Sequence, residues 1–232
     1  MLIASFPTGP WQTNTYVVAT APGTECVVID PGLGAESGVA ELVAEHRLKP
    51  VAVLLTHGHL DHMFSVTPLC HSHQAVCWVH PADRDLLTDP LLAMGTEAAA
   101  LLARLAPGHP GFVEPDEVRE LADSATVDVA GISFRVAHAP GHTPGSTMYQ
   151  TSAGQTPDAE PVVFTGDVLF AGSIGRTDLP GGDVGQMLES LRTKVLPLPD
   201  SVVVLPGHGP FTTMAAERAT NPYLRQLQEA LP

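Results

Sequence analysis

The sequence predicts an α/β (α+β) chain in which two β-rich halves each carry helices on their outside. Three observations lead there. Short β-branched runs alternate with segments of helical periodicity through the first third of the chain. The same strand-rich pattern resumes beyond Pro107–Pro115, a loop with three prolines and two glycines. A hydrophobic content of 44% with 16% charged residues is enough for a real core, which excludes a disordered or collagen-like chain.

Taken in order, Asn14–Ala19 and Glu25–Asp30 read as strands around an Ala-Pro-Gly turn. Ala35–His46 places Val39, Leu42 and Val43 at helical spacing, and Pro50 follows its end. Val51–Thr56 is a continuous apolar run, the pattern of a strand buried on both faces. A short helix over Val66–His73 and a strand over Ala75–Val79 follow. Pro81–Ala106 reads as helical and rich in Ala and Leu. In the second half Thr126–Val129, Ile132–His138, Ser146–Thr151 and Val162–Thr165 are strands, with Ala153–Pro161 an exposed turn. Gln186–Val195 reads as a helix, Val202–Leu205 as a strand and Thr212–Leu231 as one or two closing helices. No repeat or linker divides the chain, so 1–232 is expected to form one domain.

Charge and cysteines bound the partners. A formal net charge of −14, with 11 Lys+Arg that form no stripe, argues against nucleic acid. No apolar run approaches the roughly 20 residues of a spanning helix, and the start, MLIASFPTGPW, lacks the basic residue of a secretory signal. Three cysteines (Cys26, Cys70, Cys77) without a CxxC pair fit a reducing cytoplasm.

The chemistry sits in Thr-His-Gly-His-Leu-Asp-His at 56–62, directly after the buried run. In an extended segment alternate side chains share a face, so His57 and His59 can converge on one metal. Asp61 continues that alternation and His62 breaks it. Two neighbouring ions use four such closely spaced ligands more naturally than one tetrahedral ion does, and the spacing is that of a loop, not a helix. Three more candidates follow strand ends and glycines: His142 in Pro-Gly-His-Thr, Asp167 in Thr-Gly-Asp and His208 in Pro-Gly-His-Gly. The remaining histidines lack such a setting. His46, His71, His73, His80 and His109 read as ordinary surface or hydrogen-bonded side chains, and His138 as either buried or supporting.

This set resembles the metallo-β-lactamase-fold hydrolases, and within them the glyoxalase II (hydroxyacylglutathione hydrolase)-like branch, in a short form without the C-terminal helical domain. The resemblance runs from the first strands to Pro-Gly-His-Gly-Pro. It implies a four-layer αβ/βα sandwich of two mixed sheets with helices on the outer faces. It places His57, His59 and His142 on a first metal and Asp61, His62 and His208 on a second. It implies that Asp167 bridges the two and that Asp61 and Asp167 are the catalytic carboxylates. The implied cofactor is Zn2+, one or two ions, with Fe or Mn as substitutes, in a monomer or weak homodimer. Gly-Asp-Val-Leu-Phe-Ala-Gly-Ser-Ile-Gly-Arg-Thr-Asp resembles the same branch, in which a basic residue, here Arg176, contacts the glycine carboxylate of glutathione. Its bland alternative is a surface arginine paired with Asp178 or Asp183. Phe211 stands near where the branch carries a tyrosine.

The expected substrate is a small thioester. Two ions sharing a water would lower its pKa from about 15.7 toward about 7, and a thiol of pKa near 8.5 departs as thiolate without a general acid. The persulfide dioxygenases share a similar Gly-Arg-Thr-Asp run. One Fe(II) on His57, His142 and Asp167, a two-His-one-carboxylate set, is therefore the rival enzyme. A metal-binding protein without hydrolase activity is the third reading.

Overall fold

A computed structural model describes residues 1–95, 98–152 and 161–229. The first sheet takes β1 (Leu2–Thr8), β2 (Thr13–Ala19), β3 (Glu25–Ile29), β4 (Lys49–Leu54), β5 (Val76–Val79) and β6 (Val118–Glu120) in that spatial order. Pairing is antiparallel from β1 to β3 and parallel from β3 to β6. The second sheet is built from β7 (Thr126–Val129), β8 (Ile132–His138), β9 (Thr147–Ser152) and β10 (Pro161–Gly166), which pair antiparallel in sequence order. A small ribbon follows, β11 (Leu169–Phe170) with β12 (Ser173–Ile174). β13 (Val203–Pro206) then lies parallel to β10, and β14 (Thr212–Thr213) closes the edge.

Side-chain alternation sorts these strands into four layers. Along β2, Tyr16 and Val18 point into the layer between the sheets, where they meet Phe134, Tyr149, Phe164 and Leu205 of the second sheet. Val17 and Ala19 point the other way, against α1 (Ala35–His46) and α3 (Val66–His73). The second sheet repeats this: Met148, Val163 and Val204 turn outward onto Met187 and Leu191 of the segment beginning at α5 (Val184–Ser190 in the chain) and onto Met214 and Leu224. A strand with apolar neighbours on both faces reads in sequence as an unbroken apolar run, which is the pattern at Val51–Thr56. The expected sandwich of two mixed sheets with outer helices is the observed fold.

Several elements depart from expectation. The edge strand β1 is absent from the sequence reading because Pro7 interrupts it, and an edge is where a sheet tolerates a proline. β6 is only three residues long and carries no apolar alternation. Pro81–Ala106 is not one helix. Pro81 and Pro90 each open a short 3-10 segment, Pro81–Leu87 and Pro90–Ala93, and α4 occupies Ala98–Leu105. Proline at the first position starts a turn but has no N–H to continue a preceding one. Most of the Ala153–Pro161 turn, and the last part of Thr212–Leu231, lie outside the described residues. The closing helices are α6 (Met214–Thr220) and α7 (Pro222–Glu229), and α2 is the short Leu60–Met63. Among the described residues no helix is long and apolar enough to cross a membrane.

Phe164 is fully buried and meets Tyr16 edge-on at 5.1 Å between ring centroids, so it joins the two sheets. Phe164→Ala should destabilise the fold by about 3–5 kcal/mol. Urea titration should show a lower midpoint with an unchanged m-value; an unchanged midpoint would mean that the two sheets do not depend on this contact.

Candidate metal centre

Both sheets deliver ligands at the same seam, from the carboxyl ends of parallel strands. β4 runs out into His57 and His59, β10 into Asp167 and β13 into His208, while the turn between β8 and β9 supplies His142. Ligand sites in open α/β sheets lie outside such strand ends. The segment 57–62 is not wholly a loop. Extended backbone ends at His59, and α2 begins at Leu60, so Asp61 and His62 turn away helically. The strand alternation expected to carry Asp61 stops there, and Asp61 instead joins a second group.

Three donor sets form, each with its ligand atoms within 4.8 Å of one another: His57–His59–His142, His57–His62–Asp167 and Asp61–His62–His208. All seven predicted ligands are therefore brought together. Asp167 lies between the outer sets, with Oδ2 3.5 Å from His142 Nε2 and also 3.5 Å from His208 Nε2. Its Oδ1 is 3.4 Å from His62 Nε2. The histidines read as ordinary, at 46, 71, 73, 80 and 109, belong to none of these sets, and neither does His138, left open between a buried and a supporting role. His138 stacks on His80 at 3.9 Å and donates from Nε2 to the Pro144 carbonyl.

The residues fit a metal, as their outer hydrogen bonds show. His142 donates Nδ1–H to the Arg176 carbonyl at 2.7 Å, His208 to the Trp11 carbonyl at 3.0 Å and His62 to Asp30 Oδ2 at 3.0 Å. The Thr56 hydroxyl donates to Asp30, leaving its oxygen to accept from His57 Nδ1 at 3.1 Å. Each of these rings thus turns its Nε2 inward, the pattern by which outer partners orient metal-binding imidazoles. His57 Nε2, His59 Nε2 and Asp167 Oδ1 are buried without any hydrogen-bond partner. Orphaned acceptors of this kind cost free energy unless something else engages them, and a cation would do so here.

Protonation agrees. Burial, then the neighbouring His62 and His142, holds His57 well below its ordinary value. Burial and His142 bring His59 down to about 3. Burial alone would raise Asp61 and Asp167, but the imidazolium character of His62 outweighs it and keeps both carboxylates ionised. For His62 burial acts downward and is overcome by Asp61, Asp167 and Asp30. Neutral His57 and His59 beside ionised Asp61 and Asp167 are protonation states that ligate, whereas the carboxylates around His62 favour its protonated form, so that ring would release its proton to an arriving cation.

Three supporting residues escape the sequence reading. Asp30 accepts from the Thr56 amide at 2.8 Å, the Thr56 hydroxyl at 2.6 Å and His62. Thr13 donates to Asp61 Oδ2 at 2.9 Å. Asp83, with no exposed surface, accepts from the Gly58 amide at 2.9 Å, the Thr143 hydroxyl at 2.7 Å and the Gly145 amide at 2.7 Å, tying the first ligand loop to the His142 loop. A Cβ at Gly145 would collide with this carboxylate. The available signal was an aspartate just past an apolar strand end: Asp30 follows β3, and Asp83 follows β5 by four residues.

Arg176 reaches the cavity beside the ligands, as expected of a substrate contact, but its fork is engaged. Nε and Nη2 each donate to Asp178 at 2.7 Å, the pairing that the bland reading names.

The model of the Metallo-beta-lactamase superfamily matches residues 8–208. The chain belongs to that superfamily. An uncharacterized protein of Mycobacterium tuberculosis is 46% identical over 228 residues, covering 98% of this chain and 99% of that one. Hydroxyacylglutathione hydrolase GloC of Haemophilus influenzae is 34% identical, covering 97% and 98%. Among solved structures, BLEG-1 B3 metallo-beta-lactamase is 38% identical at a TM-score of 0.80, covering 96% of this chain and 99% of that one. TTHA1623 in a di-iron-bound form is 37% identical at 0.76, covering 95% and 100%. ETHE1 from Myxococcus xanthus is 25% identical at 0.73, covering 100% and 92%. Clustered His and Asp ligands on the metallo-beta-lactamase fold make the chain a metal-dependent enzyme of this superfamily, with a transition-metal cofactor.

Asp83→Ala strands three buried donors, each at about 1–3 kcal/mol, and frees the two ligand loops from each other. Metal affinity should fall 10- to 100-fold, measured by competition with a chromophoric chelator, and Asp83→Asn should recover part of it. Unchanged affinity in the Ala variant would leave Asp83 a purely structural residue.

Proposed function

We propose that the chain is a metal-dependent hydrolase of small thioesters, glyoxalase II-like, acting as one metallo-β-lactamase-like domain over 1–232. The observation that carries this reading is the Asp61–His62–His208 set, complete beside His57–His59–His142 and in reach of the same Asp167. A second ion has a use in hydrolysis that a mono-iron oxygenase does not require. The Haemophilus influenzae relative, called a hydroxyacylglutathione hydrolase, supports the reaction class.

His57, His59 and His142 would hold one ion, Asp61, His62 and His208 a second, and Asp167 would bridge them. When bound, such ions supply a water acidified toward neutrality and a Lewis acid for the carbonyl oxygen. The chain's own residues orient the reaction. Outer hydrogen bonds lock the imidazoles, Thr13 steadies Asp61, and the cavity presents the ester to the ligand face. Arg176 is the one ionisable lining residue, among the described residues, that is not a ligand candidate. No further acid is needed, because a thiol of pKa about 8.5 leaves as thiolate. An amide or β-lactam nitrogen would require one. Arg176 would take a carboxylate of the thiol carrier by exchanging it for Asp178.

A second reading is an iron oxygenase on His57, His142 and Asp167 that oxidises glutathione persulfide. The di-iron-bound form of the relative TTHA1623 favours iron as the metal.

One preparation separates the two. The metal-loaded protein should release thiol from S-lactoylglutathione without oxygen uptake, and His208→Ala should lose at least about 100-fold in rate together with part of its bound metal. Rapid oxygen consumption with glutathione persulfide, untouched thioesters and a dispensable His208 would establish the oxygenase instead.

Arg176→Ala should raise KM severalfold with kcat nearly unchanged, because a contact remote from the reacting carbonyl acts equally in ground and transition states. A thioester whose thiol lacks a carboxylate is the control. An equal loss on both substrates would make Arg176 structural.

A further inference from the structure

The cavity beside the ligands encloses about 600 Å³, within the range of small-molecule sites. Its character away from the ligands is apolar, and the apolar side chains come from separate stretches of chain. Trp11 stands in the turn between β1 and β2, Met94 and Leu101 flank the start of α4, Phe170 and Ile174 belong to the β11–β12 ribbon, and Leu179 lies in the loop after it. Leu60, buried next to Asp61, lines the same space. Phe170 packs edge-on against His208 at 5.9 Å, so the apolar wall is continuous with the ligand cluster.

This wall is held in place by a device that the chemistry does not otherwise use. Glu217 of α6, only 2% exposed, accepts from the Gly172 amide at 2.8 Å, the Thr212 hydroxyl at 2.7 Å and the Asn221 amide at 2.9 Å. Asn221 also donates to the Ser173 carbonyl at 3.0 Å. Both anchored backbone groups belong to the β11–β12 ribbon, whose Phe170 and Ile174 line the cavity. A buried carboxylate spent on pinning a two-residue ribbon makes a preformed surface, and preformation lowers the ordering cost of binding. Polar alternatives at the wall are few: Ser173, and Arg176 at the exposed rim with its fork taken by Asp178.

We infer that this cavity is an acyl pocket for an apolar acyl group larger than lactoyl, a straight or branched alkyl chain or an aryl group. The inference rests on the thioester reading above and refines it. A lactoyl group would leave most of the space to water and set its hydroxyl against Trp11, Phe170 and Leu179. An alkyl chain removes that apolar surface from water, while the carrier thiol, with its carboxylate, extends past the rim at Arg176.

The test uses the metal-loaded full chain and two series of ligands. The first is acyl thioesters of N-acetylcysteamine, a neutral thiol, from acetyl to octanoyl. Here kcat/KM should rise about three- to fourfold per added methylene until the pocket is full. The second is the matching non-hydrolysable S-alkyl thioethers, whose binding is read by Trp11 fluorescence in a Trp78→Phe background, since Trp11 and Trp78 are the chain's two tryptophans. Affinity should climb with alkyl length in parallel. Ile174→Asn and, independently, Leu179→Asn should flatten both series while metal content holds. If thioesters are cleaved at rates that ignore or fall with chain length, and thioether affinity is equally flat, the acyl pocket is overturned and the thioester reading stands. If thioether affinity climbs but no thioester is cleaved, the apolar pocket stands and the thioester reading falls.

Discussion

The arrangement depends on one buried carboxylate. Asp30 sits at the end of β3, 1% exposed and in left-handed backbone at φ 49°, and it accepts three hydrogen bonds from the next strand end and from α2. A polar side chain at that depth is tolerable only when its oxygens are hydrogen-bonded. Satisfying Asp30 requires Thr56 to stand where β4 ends and His62 to turn inward where α2 begins. Those two placements fix both ends of the 57–62 ligand segment, and His57 is oriented through the Thr56 hydroxyl. The carboxylate therefore sets the geometry of a cluster that it does not itself join.

Around it the two sheets act as a single frame. Tyr16 of the first sheet donates its hydroxyl to the Pro206 carbonyl at 2.6 Å, just ahead of His208. Tyr149 of the second donates to the Leu55 carbonyl at 2.6 Å, just ahead of His57. Each sheet thus holds the strand end from which the other sends out a ligand. Asp83 adds a third tie, between the first ligand loop and the His142 turn. The result is a rigid polar seam faced by an apolar cavity, which places a charged centre and a hydrophobic binding wall side by side without either being flooded by the other's requirements.

What the sequence made legible follows from the range of each interaction. The seven ligands announce themselves through local pattern: a dense His/Asp run after an apolar strand, and glycine before His142, Asp167 and His208. The strand buried on both faces at Val51–Thr56 is legible as an unbroken apolar run, and Ile132–His138, with Ser133 and Arg135 exposed on one face, as apolar-polar alternation. Asp30, Thr13 and Asp83 carry no such mark, since their partners lie 26, 48 and 62 residues away, at Thr56, Asp61 and Gly145. Only tertiary contact gives them meaning. The helical reading of Pro81–Ala106 failed because composition outweighed Pro81 and Pro90, which divide the segment into short turns. The pairing of Arg176 with Asp178 was legible as an alternative because the two stand two residues apart.

The closure of the seam also has a bearing on how the protein is made. His208 rests on Trp11 through its ring and on Thr13 through a backbone bridge, while the Asn14 amide donates to the Gly207 carbonyl at 2.7 Å. Contacts spanning almost 200 residues form late, since the intervening chain must first be ordered. During synthesis the first-sheet strands and the 57–62 segment emerge long before β13. The second donor set, lacking His208, stays open until the two distant segments dock. Completion of that set therefore waits on the docking of residues 11–14 against 207–208, and a chain stalled before His208 has the His-rich segment without the partner that completes the second set.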